Sequence, residues 1–212
     1  MSIQYAIEHL ATAVAATSGS LAAKGKPVDL FGVVVLAQVT ALGGGTLRDV
    51  ILDARPVFWV ADPGYVVTAT LAALVVFVVA RFWIFPRKIL LLADAGGLAL
   101  FTALGANKAA ALGTPAVVAI SMGVMTGVAG GMVRDVLTSE IPIVFRSQIS
   151  LYATAALCGA TVFVLLRAYV NPSLLWTLGI GTTLVMRLIA IQWAIRLPVF
   201  RPKTAEEPSE VA

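Results

Sequence analysis

Three observations predict an all-α integral membrane fold of seven transmembrane helices, arranged as two inverted three-helix repeats plus a seventh helix. First, 59% of the 212 residues are hydrophobic and only 12% are charged, about half the charge of a soluble domain. Second, apolar runs of about 20 residues, the length that crosses a bilayer, recur along the chain. Third, one charged motif occurs in both halves. The mean hydropathy of +0.95 agrees with a chain that lipid covers in part.

The apolar runs define the helices in order. They cover roughly 5–23, 29–52, 62–84, 89–108, 114–138, 148–170 and 173–195. The first run contains Glu8 and His9 and follows no basic segment, which predicts a retained helix and not a cleaved signal peptide. The polar residues at the end predict a disordered tail. The predicted units are 1–86 for the first repeat, 87–171 for the second, 172–197 for the seventh helix and 198–212 for the tail.

The basic residues predict the orientation of the chain. With the N terminus outside, the cytoplasmic segments hold ten of them: Lys24, Lys26, Arg81, Arg87, Lys88, Arg134, Arg146, Arg196, Arg201 and Lys203. The outer segments hold four: Arg48, Arg55, Lys108 and Arg167. The positive-inside rule therefore favours a multi-pass protein of the inner (plasma) membrane with its C terminus in the cytoplasm. Because the net charge of +4 lies between apolar runs, it fits contact with anionic lipid and argues against nucleic-acid binding.

The internal repeat is the most specific signal in the sequence. Residues 44–50, Gly-Gly-Thr-Leu-Arg-Asp-Val, recur 86 residues later at 130–136 as Gly-Gly-Met-Val-Arg-Asp-Val. The same offset aligns Glu8 with Asp94. Each unit holds three predicted helices, an odd number, so the second unit must enter the membrane from the opposite side.

The glycines of the repeat lie inside predicted helices 2 and 5. They are Gly43, Gly44 and Gly45 in helix 2, and Gly130 and Gly131 in helix 5. Adjacent glycines kink helices, so one interpretation is a pair of broken helices that cross near the midplane. Carbonyls freed at such breaks replace the hydration shell of a cation. The alternative is close packing of unbroken helices through small residues.

Each glycine cluster is followed by an Arg–Asp pair: Arg48 with Asp49, and Arg134 with Asp135. Charges at membrane depth are costly, so these residues are expected to face a water-filled path or a partner. Neighbouring helical residues do not share a face. We therefore expect the Arg of one repeat to pair with the Asp of the other. The alternative is that both pairs lie at the interface and anchor helix ends.

Other polar residues in the apolar runs are candidates for the same path. Thr40 and Thr126 lie about a turn before the glycines and are expected to line the path or to bond between helices. Asp94, near the start of helix 4, is expected to line a vestibule. Lys108 is expected to reach the lipid headgroups, with a vestibule as the alternative. Arg187 is expected to bind a partner inside the bundle or an anionic lipid.

Enzymatic activity is not expected. The sequence contains no nucleophile with a base, no metal-ligand cluster and no phosphate-binding loop after a strand. Cys158 is the single cysteine, which excludes an intrachain disulfide. We expect neither a cofactor nor a bound metal.

The combined motifs resemble the prokaryotic branch of the trimeric intracellular cation (TRIC) channels. The similar segments are 43–50, 56–59, 94–101 and 130–136, and the resemblance spans about residues 5–195. It implies a homotrimer with a pore in each protomer between kinked helices 2 and 5. It also implies passage of potassium or sodium, and lipid contact at Arg134. Lys108 is a second candidate for lipid binding because its side chain is expected to reach the headgroups.

Two other function classes stay open at this point. Inverted repeats with broken helices are also the plan of secondary carriers, here for a small neutral amino acid such as glycine. A membrane scaffold without transport activity is the third class, but it leaves the paired intramembrane charges unexplained.

Overall fold

The computed structural model describes residues 3–146 and 151–193, and its fold is all-α. Seven long helices lie within these residues: α1 Ile3–Ala22, α2 Leu30–Ile51, α3 Gly64–Val79, α4 Arg87–Ala111, α5 Ala116–Leu137, α6 Tyr152–Leu166 and α7 Pro172–Trp193. A four-residue helix, Phe58–Ala61, follows α2, and a 3-10 turn, Ile143–Phe145, follows α5. The predicted tail at 198–212 and the predicted start of helix 6 at residue 148 lie outside the described residues.

The helices have the length and composition of a multi-pass membrane protein. Four of those described, α2, α4, α5 and α7, are long and apolar enough to cross a bilayer. α3 and α6 are apolar but shorter, with 16 and 15 residues. Large apolar side chains such as Val75, Val117 and Leu165 lie exposed on the outer surface of the bundle. In a bilayer, lipid chains and not water cover these side chains, so their exposure carries no cost in hydrophobic free energy.

The helix packing has the same plan in both halves. α1, α2, α4 and α5 pack against one another at the centre, α3 packs on α1 and α2, and α6 packs on α4 and α5. α7 lies against α4 and α6. The centre consists largely of small residues, among them the fully buried Ala16, Ala37, Ala99 and Ala106. Small side chains let the helix backbones approach closely, which is how membrane helices gain packing energy.

α2 and α5 end with the same backbone geometry. The chain turns through left-handed residues, Asp53 (φ 49°) and Ser139 (φ 56°), just beyond the two helices. After each, a backbone N–H donates back to an aspartate carbonyl at 2.8 Å: Ala54 to Asp49, and Glu140 to Asp135. These hydrogen bonds satisfy carbonyls that a helix end otherwise leaves open.

The prediction of broken helices at the glycines was wrong. α2 and α5 run without interruption through Gly44 and Gly130. A Cβ added at Gly44 would overlap the carbonyl of Thr126, and one at Gly130 would overlap the carbonyl of Thr40. The glycines therefore let two intact helices touch backbone to backbone. An intact helix keeps every backbone group hydrogen-bonded, which membrane depth requires.

The threonines at this crossing bond within their own helices. The Thr40 hydroxyl donates to the Leu36 carbonyl at 2.6 Å, and the Thr126 hydroxyl donates to the Met122 carbonyl at 2.6 Å. These bonds do not join two helices, so the structure favours the other role predicted for the two threonines, the lining of a path.

Replacing Gly44 with alanine is expected to destabilise the fold by about 2 kcal/mol, because the methyl group meets backbone that cannot move aside. Gly43→Ala is the matched control, since a Cβ there meets no atom within 4 Å. The control is expected to be neutral or to stabilise the helix by up to about 1 kcal/mol. Thermal unfolding of the purified protein in detergent measures both changes. Equal unfolding temperatures for the two variants would contradict the backbone contact.

Candidate functional site

Two buried charge clusters lie at the ends of α2 and α5. The Asp49 cluster comprises Arg48, Asp49 and Lys108. The Asp94 cluster comprises six residues from five helices: Ser18, Asp94, Arg134, Asp135, Tyr152 and Arg187. Both clusters are built around the Arg–Asp pair of the repeated motif.

The Asp49 carboxylate is fully buried and binds three donors. Its Oδ1 atom lies 2.8 Å from Arg48 Nε and 2.7 Å from Lys108 Nζ. Its Oδ2 atom accepts a hydrogen bond of 2.9 Å from the backbone N–H of Phe58. The Phe58 ring in turn lies under the Arg48 guanidinium, 5.6 Å from its centroid. Asp49 thus fixes the short helix after α2 to the end of α2 and to α4.

Arg134 is the centre of the Asp94 cluster. Its Nε atom donates to Asp135 Oδ1 at 2.8 Å, and its Nη1 atom donates to Asp94 Oδ1 at 2.9 Å and to the Ser18 hydroxyl. Asp135 Oδ2 accepts from the backbone N–H of Ile143 at 2.8 Å. A buried cation needs such partners, because an unpaired charge at this depth costs several kcal/mol.

Arg187 connects α7 to the Asp94 cluster. The side chain is fully buried, and its Nη2 atom lies 4.0 Å from Asp94 Oδ2. Its guanidinium stacks over the Tyr152 ring at 4.6 Å, and the Tyr152 hydroxyl donates to Asp94 Oδ1 at 3.4 Å. Of the two partners predicted for Arg187, the structure shows the one inside the bundle.

The predicted pairing between the two repeats was wrong. Arg48 and Arg134 each bind the aspartate that follows them in sequence. The side chain of arginine is long enough to bend back along the helix, and backbone N–H groups beyond the helix end hold each carboxylate within its reach. Both pairs lie in the last turn of their helices and are buried in the bundle, so they hold the helix ends to neighbouring segments of the chain.

Lys108 lies in the Asp49 cluster with 30% of its side chain exposed. It binds Asp49 and lines an internal space, so the structure favours the vestibule alternative. Asp94 is buried. It lines a cavity of about 20 Å³ and not the vestibule that was predicted for it.

The sequence-based prediction missed Ser18, Tyr152 and the backbone N–H of Phe58. One signal was available: the alignment of Glu8 with Asp94. The Tyr65 hydroxyl donates to Glu8 in the first repeat, as the Tyr152 hydroxyl donates to Asp94 in the second. The two tyrosines are 87 residues apart, one more than the repeat offset, so a search at the fixed offset does not find them.

Three pockets, each in part open at the surface, follow one another along α1. The Lys108 vestibule, about 240 Å³, is lined by Glu8, Arg48, Phe58, Phe101, Asn107 and Lys108 among others. The Lys26 vestibule, about 390 Å³, is lined by Lys24, Lys26, Asp135, Thr138, Glu140 and Arg146 among others. Since Glu8 and Leu21 of α1 each line one of them, the vestibules are roughly 20 Å apart at opposite ends of that helix.

A third space lies between the two vestibules at the crossing of α2 and α5. This central cavity of about 20 Å³ is lined by Ser18, Thr40, Gly44, Asp94, Thr126 and Gly131 among others. It is large enough for a single water molecule. The crossing therefore separates two wide spaces, each with charged residues in its lining, by a short, tightly packed segment.

Comparison with known proteins gives a family match in both halves of the chain. A family model described as "Glycine transporter" matches residues 5–81 and again residues 91–168. The UPF0126 membrane protein of Vibrio cholerae is 44% identical over 207 residues, which are 94% of this chain and 83% of that protein. The UPF0126 inner membrane protein YadS of Escherichia coli is 44% identical over 204 residues, 92% of this chain and 95% of YadS.

Solved structures with the same fold are cation channels. The TRIC trimeric intracellular cation channel orthologue from Rhodobacter sphaeroides has a TM-score of 0.86 and 36% identity, covering 92% of this chain and 100% of that chain. A prokaryotic TRIC channel crystallised in 0.5 M KCl has a TM-score of 0.85 and 27% identity, covering 92% and 98%.

Asp94→Asn is expected to lower the free energy of unfolding by about 3 kcal/mol, because it removes the carboxylate charge between two buried arginines. The control is Asp53→Asn, where the carboxylate is 89% exposed and its loss is expected to cost less than about 0.5 kcal/mol. Unfolding in detergent with increasing dodecyl sulfate measures both. A similar stability loss in the two variants would refute the role assigned to Asp94.

Proposed function

Because the chain belongs to the prokaryotic branch of the TRIC channel family, we propose that it is a potassium-permeable channel for monovalent cations in the inner membrane. The observation that carries this proposal is the sequence of spaces along α1. Two vestibules with charged residues in their lining lie toward opposite ends of α1, with a water-sized cavity between them at the crossing of α2 and α5. A small separation of these two helices would join the spaces into one path.

The electrostatics of the proposed path are compatible with cations. In the Asp94 cluster, two carboxylates balance two arginines, so Arg134 adds no net charge there. This neutralisation removes most of the barrier that an arginine would otherwise raise against a cation at the crossing. The vestibules carry Glu140 and Glu8, but in each of them the basic lining residues outnumber the acidic ones.

We propose a gate that does not use backbone carbonyls released from broken helices. Arg48 and Arg134 donate to carboxylates, and the helices beside them are unbroken. We place the gate at the contacts of Gly44 with Thr126 and of Gly130 with Thr40, where backbone meets backbone. Opening then means a shift of two intact helices, which keeps their hydrogen bonds.

Repeat orientation and assembly are parts of the same proposal. The two family matches and the recurrence of contacts at an offset of 86 residues support two three-helix units. We propose that they lie in opposite orientations, with the N terminus outside and the C terminus in the cytoplasm. The trimeric relatives support a homotrimer, with lipid around it. Potassium or sodium is the proposed permeant ion, and no cofactor is part of the mechanism.

A secondary carrier is the rival function, and the printed description of the family model favours it. Two vestibules separated by a closed crossing also suit alternating access. The solved relatives described as cation channels favour the channel.

Recording from purified protein in a planar bilayer under a KCl gradient separates the two functions. We expect unitary current steps that reverse near the potassium equilibrium potential, because the path is proposed to select cations. Reversal near the chloride potential would contradict the channel as proposed. Saturable glycine uptake by proteoliposomes without unitary current would favour the carrier.

Thr126→Val is expected to lower the unitary conductance several-fold, because it removes the hydroxyl that lines the central cavity and keeps the side-chain volume. Thr161→Val is the matched control: its exposed hydroxyl makes the same bond within its own helix, to Leu157 O at 2.8 Å. The same bilayer recordings compare the two. An unchanged conductance in Thr126→Val would place the path elsewhere.

A further inference from the structure

The two Arg–Asp pairs have different surroundings, and the difference indicates a ligand site. We propose that the Lys108 vestibule binds a small monocarboxylate between Arg48 and Lys108. This site lies in one vestibule of the proposed conduction path, away from the α2–α5 crossing, and its occupancy can be measured without any ion flux.

The buried cation Arg48 has unused hydrogen-bonding capacity. Its side chain is only 7% exposed and lines the vestibule. Nε donates to Asp49, but the two terminal nitrogens of Arg48 make no hydrogen bond to any residue the structure describes. Neither of these nitrogens is sealed from solvent, and the planar fork of the guanidinium matches a carboxylate.

The equivalent arginine in the second repeat shows what is missing. Arg134 uses Nη1 to bind the carboxylate of Asp94. The residue of the first repeat that aligns with Asp94 is Glu8, but Glu8 binds the hydroxyl of Tyr65 and the amide of Gln4 and forms no ion pair with Arg48. One repeat therefore supplies the carboxylate from the chain, whereas the other leaves that place open to the vestibule.

Lys108 supplies the second cation of the site. Its ammonium has three N–H donors, and Asp49 takes one at 2.7 Å. Its side chain is 30% exposed, toward the space that Arg48 also lines. In the Asp49 cluster two cations share one carboxylate, and Glu8, the other carboxylate of the vestibule, binds Tyr65 and Gln4 instead. A single negative charge therefore completes the local ion pairing. This balance predicts a monovalent ligand.

The size and lining of the vestibule restrict the ligand further. A space of about 240 Å³ lined in part by Phe58, Phe101 and Leu104 admits a carboxylate with a short apolar end, such as acetate. Glu8 lines the same space and offers a counter-charge to an ammonium, so the carboxylate of a small amino acid such as glycine is the second source of the same chemistry.

Binding is tested with acetate and glycine on the purified, detergent-solubilised chain by saturation-transfer NMR, at constant ionic strength set with sodium chloride. Saturable binding of either solute to the wild-type protein is expected. Lys108→Met is expected to weaken it about tenfold or more, because one charge-assisted hydrogen bond is lost. Lys26→Met is the matched control, since Lys26 is 32% exposed, pairs with Glu140 and lines the opposite vestibule.

Comparing acetate with glycine shows which kind of molecule supplies the carboxylate. Binding of acetate and glycine alike supports a site for carboxylates in general. Binding of glycine alone, weakened by Glu8→Gln, supports an amino acid. Arg48→Lys keeps the charge beside Asp49 and removes the fork, so a folded Arg48→Lys protein with weakened binding supports the site even if other variants are unstable.

Three results would overturn the proposal: no binding of either solute, equal binding in the wild-type protein and Lys108→Met, or equal weakening by Lys26→Met. The bilayer recordings are independent of these measurements. If the protein binds acetate but passes no current, the channel is refuted and the ligand site is supported. If it conducts cations but binds neither solute, the channel is supported and the ligand site is refuted.

Discussion

The contact between α2 and α5 is the constraint on which the rest of the structure depends. The two helices touch backbone to backbone where a glycine of one faces a carbonyl of the other, and Gly44 against Thr126 and Gly130 against Thr40 provide this at equivalent places. The contact brings the ends of both helices, with their Arg–Asp pairs, into the interior of the bundle. It also closes the space between the two vestibules. The close packing, the position of the buried charges and the proposed gate therefore all depend on glycine at positions 44 and 130.

The buried charges illustrate how a repeated motif acquires different roles. Each aspartate uses one oxygen to hold its arginine and the other to accept a backbone N–H from the segment after the helix, and in this respect the repeats agree. They differ in the remaining partners. Arg134 is enclosed by Asp94 and linked to α7 through Arg187, whereas Arg48 faces an open vestibule beside Lys108. A rigid, charge-balanced end and an open, positively charged end are thus built from one sequence pattern.

This difference bears on how a cation pathway tolerates arginines. Fixed positive charge repels cations least when a carboxylate lies next to it, and the chain supplies such carboxylates fully at one end and partly at the other. Where the chain does not supply the counter-charge, a solute can. The proposed function and the proposed ligand site therefore share one physical principle, the balance of charge in a space with little water.

Much of the fold was predictable from the sequence, because bilayer thickness fixes the length of an apolar run and an offset of 86 residues is visible without coordinates. All seven predicted helices were confirmed, and the glycines were identified as special positions. Their role was not predictable, since adjacent glycines both kink helices and let intact helices cross. The partners of the arginines were also decided only by the tertiary structure. Ser18 and Asp94 lie 116 and 40 residues from Arg134 in sequence, and a long side chain selects among acceptors by their position in space.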